Sequence, residues 1–175
     1  MDYERVAGRK SLVLAANAPE PFPDTGEPSM NPERYNGVIQ KKLSYLKDQL
    51  RHLRSWDAGT LDEFRENILL RRAVERELQV CVEVIIDLCE HILAVENMSP
   101  AESSVGSLEK VAELGIIKDA DTYAPMIRFR NFVVHRYEQV DPDILYDILE
   151  NKLSDFDTFV AELETAVESR SHESE

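Results

Sequence analysis

Between residues 32 and 167 the apolar positions fall three and four apart, the spacing that gathers side chains on one face of an α-helix. Ile39, Leu43, Leu46, Leu50 and Leu53 form one such stripe, which predicts a first helix over about 32–55, with Asn31 as its N-cap and Pro32 at the first helical position. Trp56-Asp57-Ala58-Gly59-Thr60 interrupts it. Thr60 followed three residues later by Glu63 has capping-box spacing and predicts a short helix. A long helix is expected next, over about 68–95, with Val74, Leu78, Cys81, Val82, Ile85, Cys89 and Ile92 on one side. Val80, Val84, Leu88 and Leu93 widen that side. A helix apolar over more than one stripe must be buried twice, at the centre of a bundle or across a dimer interface.

The Ser- and Pro-bearing stretch from Met98 to Gly106 is expected to be a loop, with Ser107 capping a short helix through Leu114 and Gly115 stopping it. A fifth helix is predicted from about Asp119, burying Met126, Phe129 and Val133 and loosening near His135. Asp141 then caps the last helix, with Pro142 in its first turn. Leu145, Ile148, Leu149, Leu153, Phe156, Val160, Leu163 and Val167 keep a helical period to about residue 167. There is no strand-like alternation, glycine-rich phosphate loop or internal repeat. The fold class predicted is all-α: an up-and-down bundle of four main helices with short accessory ones.

The helical domain is thus expected over 31–167. Residues 1–30 carry Pro19, Pro21, Pro23 and Pro28 with Gly8 and Gly26 and show no sustained apolar period, so they form a loose extension. Translation starting at Met30 would make that extension spurious; a flexible arm that touches a partner is the alternative. Residues 168–175 are expected to be a disordered acidic tail.

A chain of 175 residues suits one domain, and 43% hydrophobic residues suffices for a core. The net charge of −14 argues against a protein that coats nucleic acid, so any RNA must meet a local basic patch. Cys81 and Cys89, the only two cysteines, lie eight apart in an apolar helical run. They fit small core residues, not a zinc site or disulfide framework, and suit a reducing cytoplasm. Ser11-Leu12-Val13-Leu14-Ala15-Ala16 is too short to span a membrane, and no association with one is expected.

The best chemical clue is Arg128-Phe129-Arg130-Asn131-Phe132-Val133-Val134-His135-Arg136-Tyr137. On a helix Asn131 and His135 share a face, Arg130 and Val134 share the neighbouring one, and Phe132 with Val133 would anchor the polar groups beside a packed surface. An arginine holds phosphate through its fork of donors, an imidazole moves a proton near neutral pH, and an amide orients either. That trio suits phosphodiester cleavage. The 2′-hydroxyl of RNA is an internal nucleophile, so no metal is needed if His135 acts as acid or base and Arg130 steadies the phosphorane charge.

The remaining polar candidates are weaker. Arg72 and Arg76 share a face and could join Arg128, Arg130 and Arg136 in an anion-binding patch, although pairing of Arg71, Arg72 and Arg76 with Glu75 and Glu77 is the plainer reading. Asp87 and His91, four apart, fit a boundary hydrogen bond or solvent exposure, since no third ligand or nucleophile is spaced to complete a site.

The run from Arg130 to Tyr137, with Asp141-Pro142-Asp143-Ile144-Leu145-Tyr146 after it, resembles the HEPN superfamily and, within it, the HepT-like toxin branch. The likeness extends upstream to Leu70-Arg71-Arg72-Ala73-Val74-Glu75-Arg76-Glu77-Leu78-Gln79 and to Leu114-Gly115-Ile116-Ile117, covering roughly 31–167 in order and spacing. It implies a metal-independent endoribonuclease toxin, without cofactor, acting as a homodimer in which two Arg-x4-His motifs meet across the interface. Arg130 would bind the scissile phosphate, His135 would be the acid/base and Asn131 would orient substrate or His135, with Arg128, Arg136, Arg72 and Arg76 along the RNA. The resemblance also implies a cognate minimal nucleotidyltransferase antitoxin that transfers AMP to Tyr137. The rival within the superfamily is a non-catalytic accessory subunit that binds a nucleotidyltransferase or a nucleotide, and composition alone would give a plain dimeric scaffold. Tyr123 and Tyr146 are expected to be structural.

Overall fold

The computed structural model of the chain describes residues 32–135 and 140–172, so the extension before Pro32 and the Asn31 cap lie outside the described residues. Helix α1 (Pro32–Ser55) is followed by α2 (Leu61–Glu66), α3 (Ile68–Val95), α4 (Ser104–Glu113) and α5 (Ala120–His135). After α6 (Pro142–Asp147) comes a π-turn (Ile148–Lys152), and α7 (Leu153–His172) completes the order. No strand occurs among the described residues. The fold is all-α, and α1 and α5 each lie against both α3 and α7, which closes a four-helix bundle. Lys47 pairs with Glu164 and Arg54 with Asp157, so α1 and α7 run antiparallel.

The predicted stripe on α1 is the buried one: Ile39, Leu43, Leu46, Leu50 and Leu53 are all 2% exposed or less. Helix α3 is central, touching α1, α2, α4, α5 and α6. Leu88 and Leu93 are buried within the single chain and Val80 and Val84 are half-buried, so α3's broad apolar side is largely covered by its own neighbours and does not by itself call for a second copy. The Thr60 cap is a full capping box: Thr60 Oγ1 accepts from Glu63 N at 3.3 Å, and Thr60 N donates to Glu63 Oε2 at 2.7 Å. Gly59, before it, has φ +62°. Tyr146 on α6 donates to the Gly59 carbonyl at 3.0 Å and stacks edge-on against the buried Phe64.

Three sequence expectations need correction. Ser103, not Ser107, caps α4: its Oγ accepts from Gly106 N at 3.0 Å, and Ser107 is a buried residue within the helix. Starting at Ser103 places Ser107 and Leu108 one turn into the helix, facing the core. The far end behaves as expected, with Gly115 at φ +70° while its N–H bonds Ala112 O and that of Ile116 bonds Val111 O. The last helix is also not continuous. Leu145, Leu149 and Leu153 are spaced four and four, which drifts around a regular helix, and the π-turn widens the backbone so that all three remain buried. Beyond residue 167 the helix continues to His172; residues 173–175 lie outside the described residues.

Candidate active site

Helix α5 carries the motif. Its packed side consists of Tyr123, Ala124, Ile127 and Val133, with Met126 and Phe129 against the core. Tyr123 was the hidden anchor: 1% exposed, it stands edge-on to Phe159 and donates to Glu162 Oε2 at 2.9 Å. Desolvation, with Glu162 beside it, pushes the Tyr123 hydroxyl well above the usual phenol range. Phe132, expected to anchor the helix, instead faces outward at 41% exposure, next to Val134 at 50%. The 3.6-residue period explains this, since once Ile127 and Val133 face inward Phe132 lies off their side.

Arg130 and Asn131 are half-buried on the flank of that packed side. Arg130 Nη1 donates to Asn131 Oδ1 at 3.4 Å, and Arg130 Nη2 lies 3.7 Å from Glu83 Oε1 on α3. The Nε of Arg130 is buried with no hydrogen-bond partner among the described residues. The guanidinium is therefore held on one side by a carboxylate and an amide, and one donor is unfilled. Glu83 was not anticipated. Its signal was a carboxylate between Val82 and Val84 in an apolar run, where a charge needs a partner.

The structure brings only part of the predicted site together. The described part of α5 runs to His135, and the expected loosening beyond it lies outside the described residues; Asp141 caps α6 by accepting from Asp143 N at 2.9 Å with Pro142 behind it. The side chain of His135, and Arg136 and Tyr137 altogether, lie outside the described residues. Arg128 is exposed. Arg76 is exposed and donates to Gln79 Oε1 at 3.3 Å, while Arg72 reaches Glu75 at 3.9 Å, the edge of an ion pair. Arg76 and Glu83 are seven residues apart and so share a side of α3. That side also meets Arg130. Arg65 Nε and Nη2 grip Asp143 at 2.8 and 2.6 Å, fixing α6 to α2 just beyond the motif.

Asp87 pairs with Lys42 at 3.0 Å, and burial, with Lys42 nearby, lowers the pKa of His91. Cys81 and Cys89 are free and buried, and burial pushes both thiols up to about 12. Among the described residues there is no group of His, Cys, Asp and Glu that could hold a metal ion, and no helix long and apolar enough to cross a membrane.

The all-α bundle is the fold of the HEPN toxins. The family model described as Ribonuclease HepT-like matches residues 39–163. The chain belongs to that family. It is 27% identical over 127 residues to the mRNA nuclease HepT of Shewanella oneidensis, spanning 71% of this chain and 95% of the relative. It is 23% identical over 128 residues to the tRNA nuclease HepT of Aphanizomenon flos-aquae, spanning 72% and 87%. Among solved structures it resembles the tri-AMPylated Shewanella oneidensis HEPN toxin in complex with an MNT antitoxin, with TM-score 0.65 and 25% identity over 73% of this chain and 97% of that one. It also matches the cytosolic protein YutE of Bacillus subtilis, of unknown function, at TM-score 0.66 over 77% and 91%; at 18% identity that likeness speaks for the fold alone.

Proposed function

We infer that the protein is the toxin of a toxin–antitoxin pair, an endoribonuclease that cleaves RNA without a metal ion. The observation that carries this reading is Arg130, half-buried beside Asn131 and 3.7 Å from Glu83, on the helix that also carries His135. The side chain keeps 28% of its surface exposed, and a phosphate would meet the guanidinium through that part, not through the buried Nε. His135 removes the proton from the 2′-hydroxyl, the freed oxygen attacks phosphorus, and Arg130 steadies the charge on the phosphorane. The 5′-oxygen leaves with a proton, giving a cyclic phosphate.

One imidazole cannot take a proton and give another in the same step, so the site works best as a homodimer in which two motifs face one cleft. The exposed apolar side chains support this. Phe132 and Val134 stand at the motif end of α5, and Ile68, Leu69 and Ile144 are exposed on α3 and α6, which touch. Arg128, Arg130 and Arg136 from two copies, with Arg72 and Arg76, would concentrate positive potential within a particle of net charge −14 per chain.

The partner is a cognate nucleotidyltransferase of the MNT type, in keeping with the AMPylated relative and its antitoxin. It silences the toxin by AMP transfer to Tyr137: the phenol oxygen attacks the α-phosphate of ATP and pyrophosphate leaves. Two residues from His135, the adduct adds bulk and negative charge where RNA must enter. The test is cleavage of RNA by the purified chain, free of partner, in excess EDTA, beside His135→Ala. Cleavage by wild type alone is expected. Loss of activity in EDTA, or equal cleavage by both, overturns the reading.

A further inference from the structure

An open cavity of about 300 Å³ that the proposed cleavage does not use is lined by α3, α5, the end of α6, the π-turn and the start of α7. Its floor is Leu78, Val82 and Phe156, each 2% exposed or less, and Met126, Phe129 and Ile148 form its walls. The cavity lies where two helical ladders are irregular. Pro125, on one wall, has no N–H to give the carbonyl of Asp121, and the π-turn on the other replaces a regular α-turn. Both walls thus depart from a regular helical ladder beside the cavity.

The mouth is polar and predominantly acidic. Asp147 and Asp155 stand there against the single ammonium of Lys152, with the hydroxyl of Thr122 beside them. Asp147 already accepts from Asn151 Nδ2 at 2.8 Å, which fixes its carboxylate at the rim. An apolar chamber with a few polar groups at the entrance is the usual form of a small-molecule site, and this volume is at the low end of the range for them, about 300–1,000 Å³. We propose that this cavity is a binding site for a small organic cation, an amine on an aromatic or branched apolar body of one or two rings. The body fills the space between Phe129, Met126 and Ile148, and the ammonium meets Asp147 and Asp155.

The site is positioned to act on the motif. Phe129 and Met126 precede Arg130 by one and four residues on the same helix, so a ligand pressed against them bears on the element that carries the arginine. That regulatory consequence rests on the nuclease reading; the binding does not. The experiment is a titration of the full chain with naphthylethylamine, and with naphthylpropionate as the counterpart of opposite charge, followed by the methyl resonances of Met126 and Ile148. Saturable shifts with the amine, at least tenfold weaker binding of the carboxylate, and binding about tenfold weaker in Asp147→Asn/Asp155→Asn are expected, within reach of two partly exposed charge contacts. Met126→Trp, which fills the chamber, should abolish the shifts at Ile148. Absence of saturable shifts, or equal binding of both probes, overturns the proposal. Binding without any RNA cleavage would sink the nuclease reading and leave the site standing.

Discussion

Arg130 on α5 and Glu83 on α3 face each other with Nη2 and Oε1 3.7 Å apart, so the arginine that would meet RNA phosphate already has an anionic partner within its own chain. Glu83 both aims the guanidinium and competes with phosphate for it. Glu83→Gln keeps the shape and removes the charge. KM for RNA should fall about threefold as the competitor is lost, while kcat falls about tenfold as the arginine is less firmly directed. Steady-state cleavage rates resolve the two; if neither parameter moves, Glu83 does not serve the site.

His91 should make stability depend on pH. Burial and Lys42 lower its folded-state pKa, so below the unfolded value of about 6.5 the unfolded chain takes up a proton that the folded chain refuses. The stability this gives is full above that value and is lost as pH falls toward the folded pKa. Between about pH 7 and pH 5 the Tm of wild type should therefore drop further than that of His91→Gln. Parallel melting curves for the two proteins would exclude it.

The two cysteines should be inert in the native protein. Both are free and buried, with thiols pushed up to about 12, so little thiolate exists near neutral pH. An aromatic disulfide reagent is expected to label neither until the bundle opens, with a labelling rate that follows global unfolding across a urea series. Rapid labelling of one thiol in the absence of denaturant would contradict the burial.

Two glycines should respond in opposite ways to alanine. Gly59 lies at φ +62°, and an added Cβ would come within 2.6 Å of Glu63 Oε2, the oxygen that completes the Thr60 capping box. Gly59→Ala should cost about 1–2 kcal/mol. Gly37, exposed in α1, has nothing within 4 Å of an added Cβ, and Gly37→Ala should stabilise by about 0.5–1 kcal/mol. Urea midpoints at a constant slope measure both; Gly59→Ala no less stable than wild type would remove the capping argument.

The long elements were legible because one face of each is paid for by burial: α1 and α3 end where the apolar period and the Thr60 signal place them. Short-range ambiguity defeated the rest. Ser103 and Ser107 lie one turn apart and either can cap, and only the burial of Ser107 decides between them. At the site, the sequence marks Arg130 and Asn131 on one helix. It could not show that Phe132 faces out or that Arg130 is met by Glu83, because both depend on how α5 is turned against α3. That rotation is set by Tyr123, whose hydroxyl and ring are fixed from α7.

The π-turn works like a gear. Taking one residue out of Ile148–Lys152 would restore a regular ladder and rotate α6 by about 100° relative to α7. Asp143 would swing away from the fork of Arg65, and Tyr146 from the Gly59 carbonyl. Helix α6 is therefore indexed to α2 by the residue count of a single turn, and a deletion there would undo both of its contacts at once.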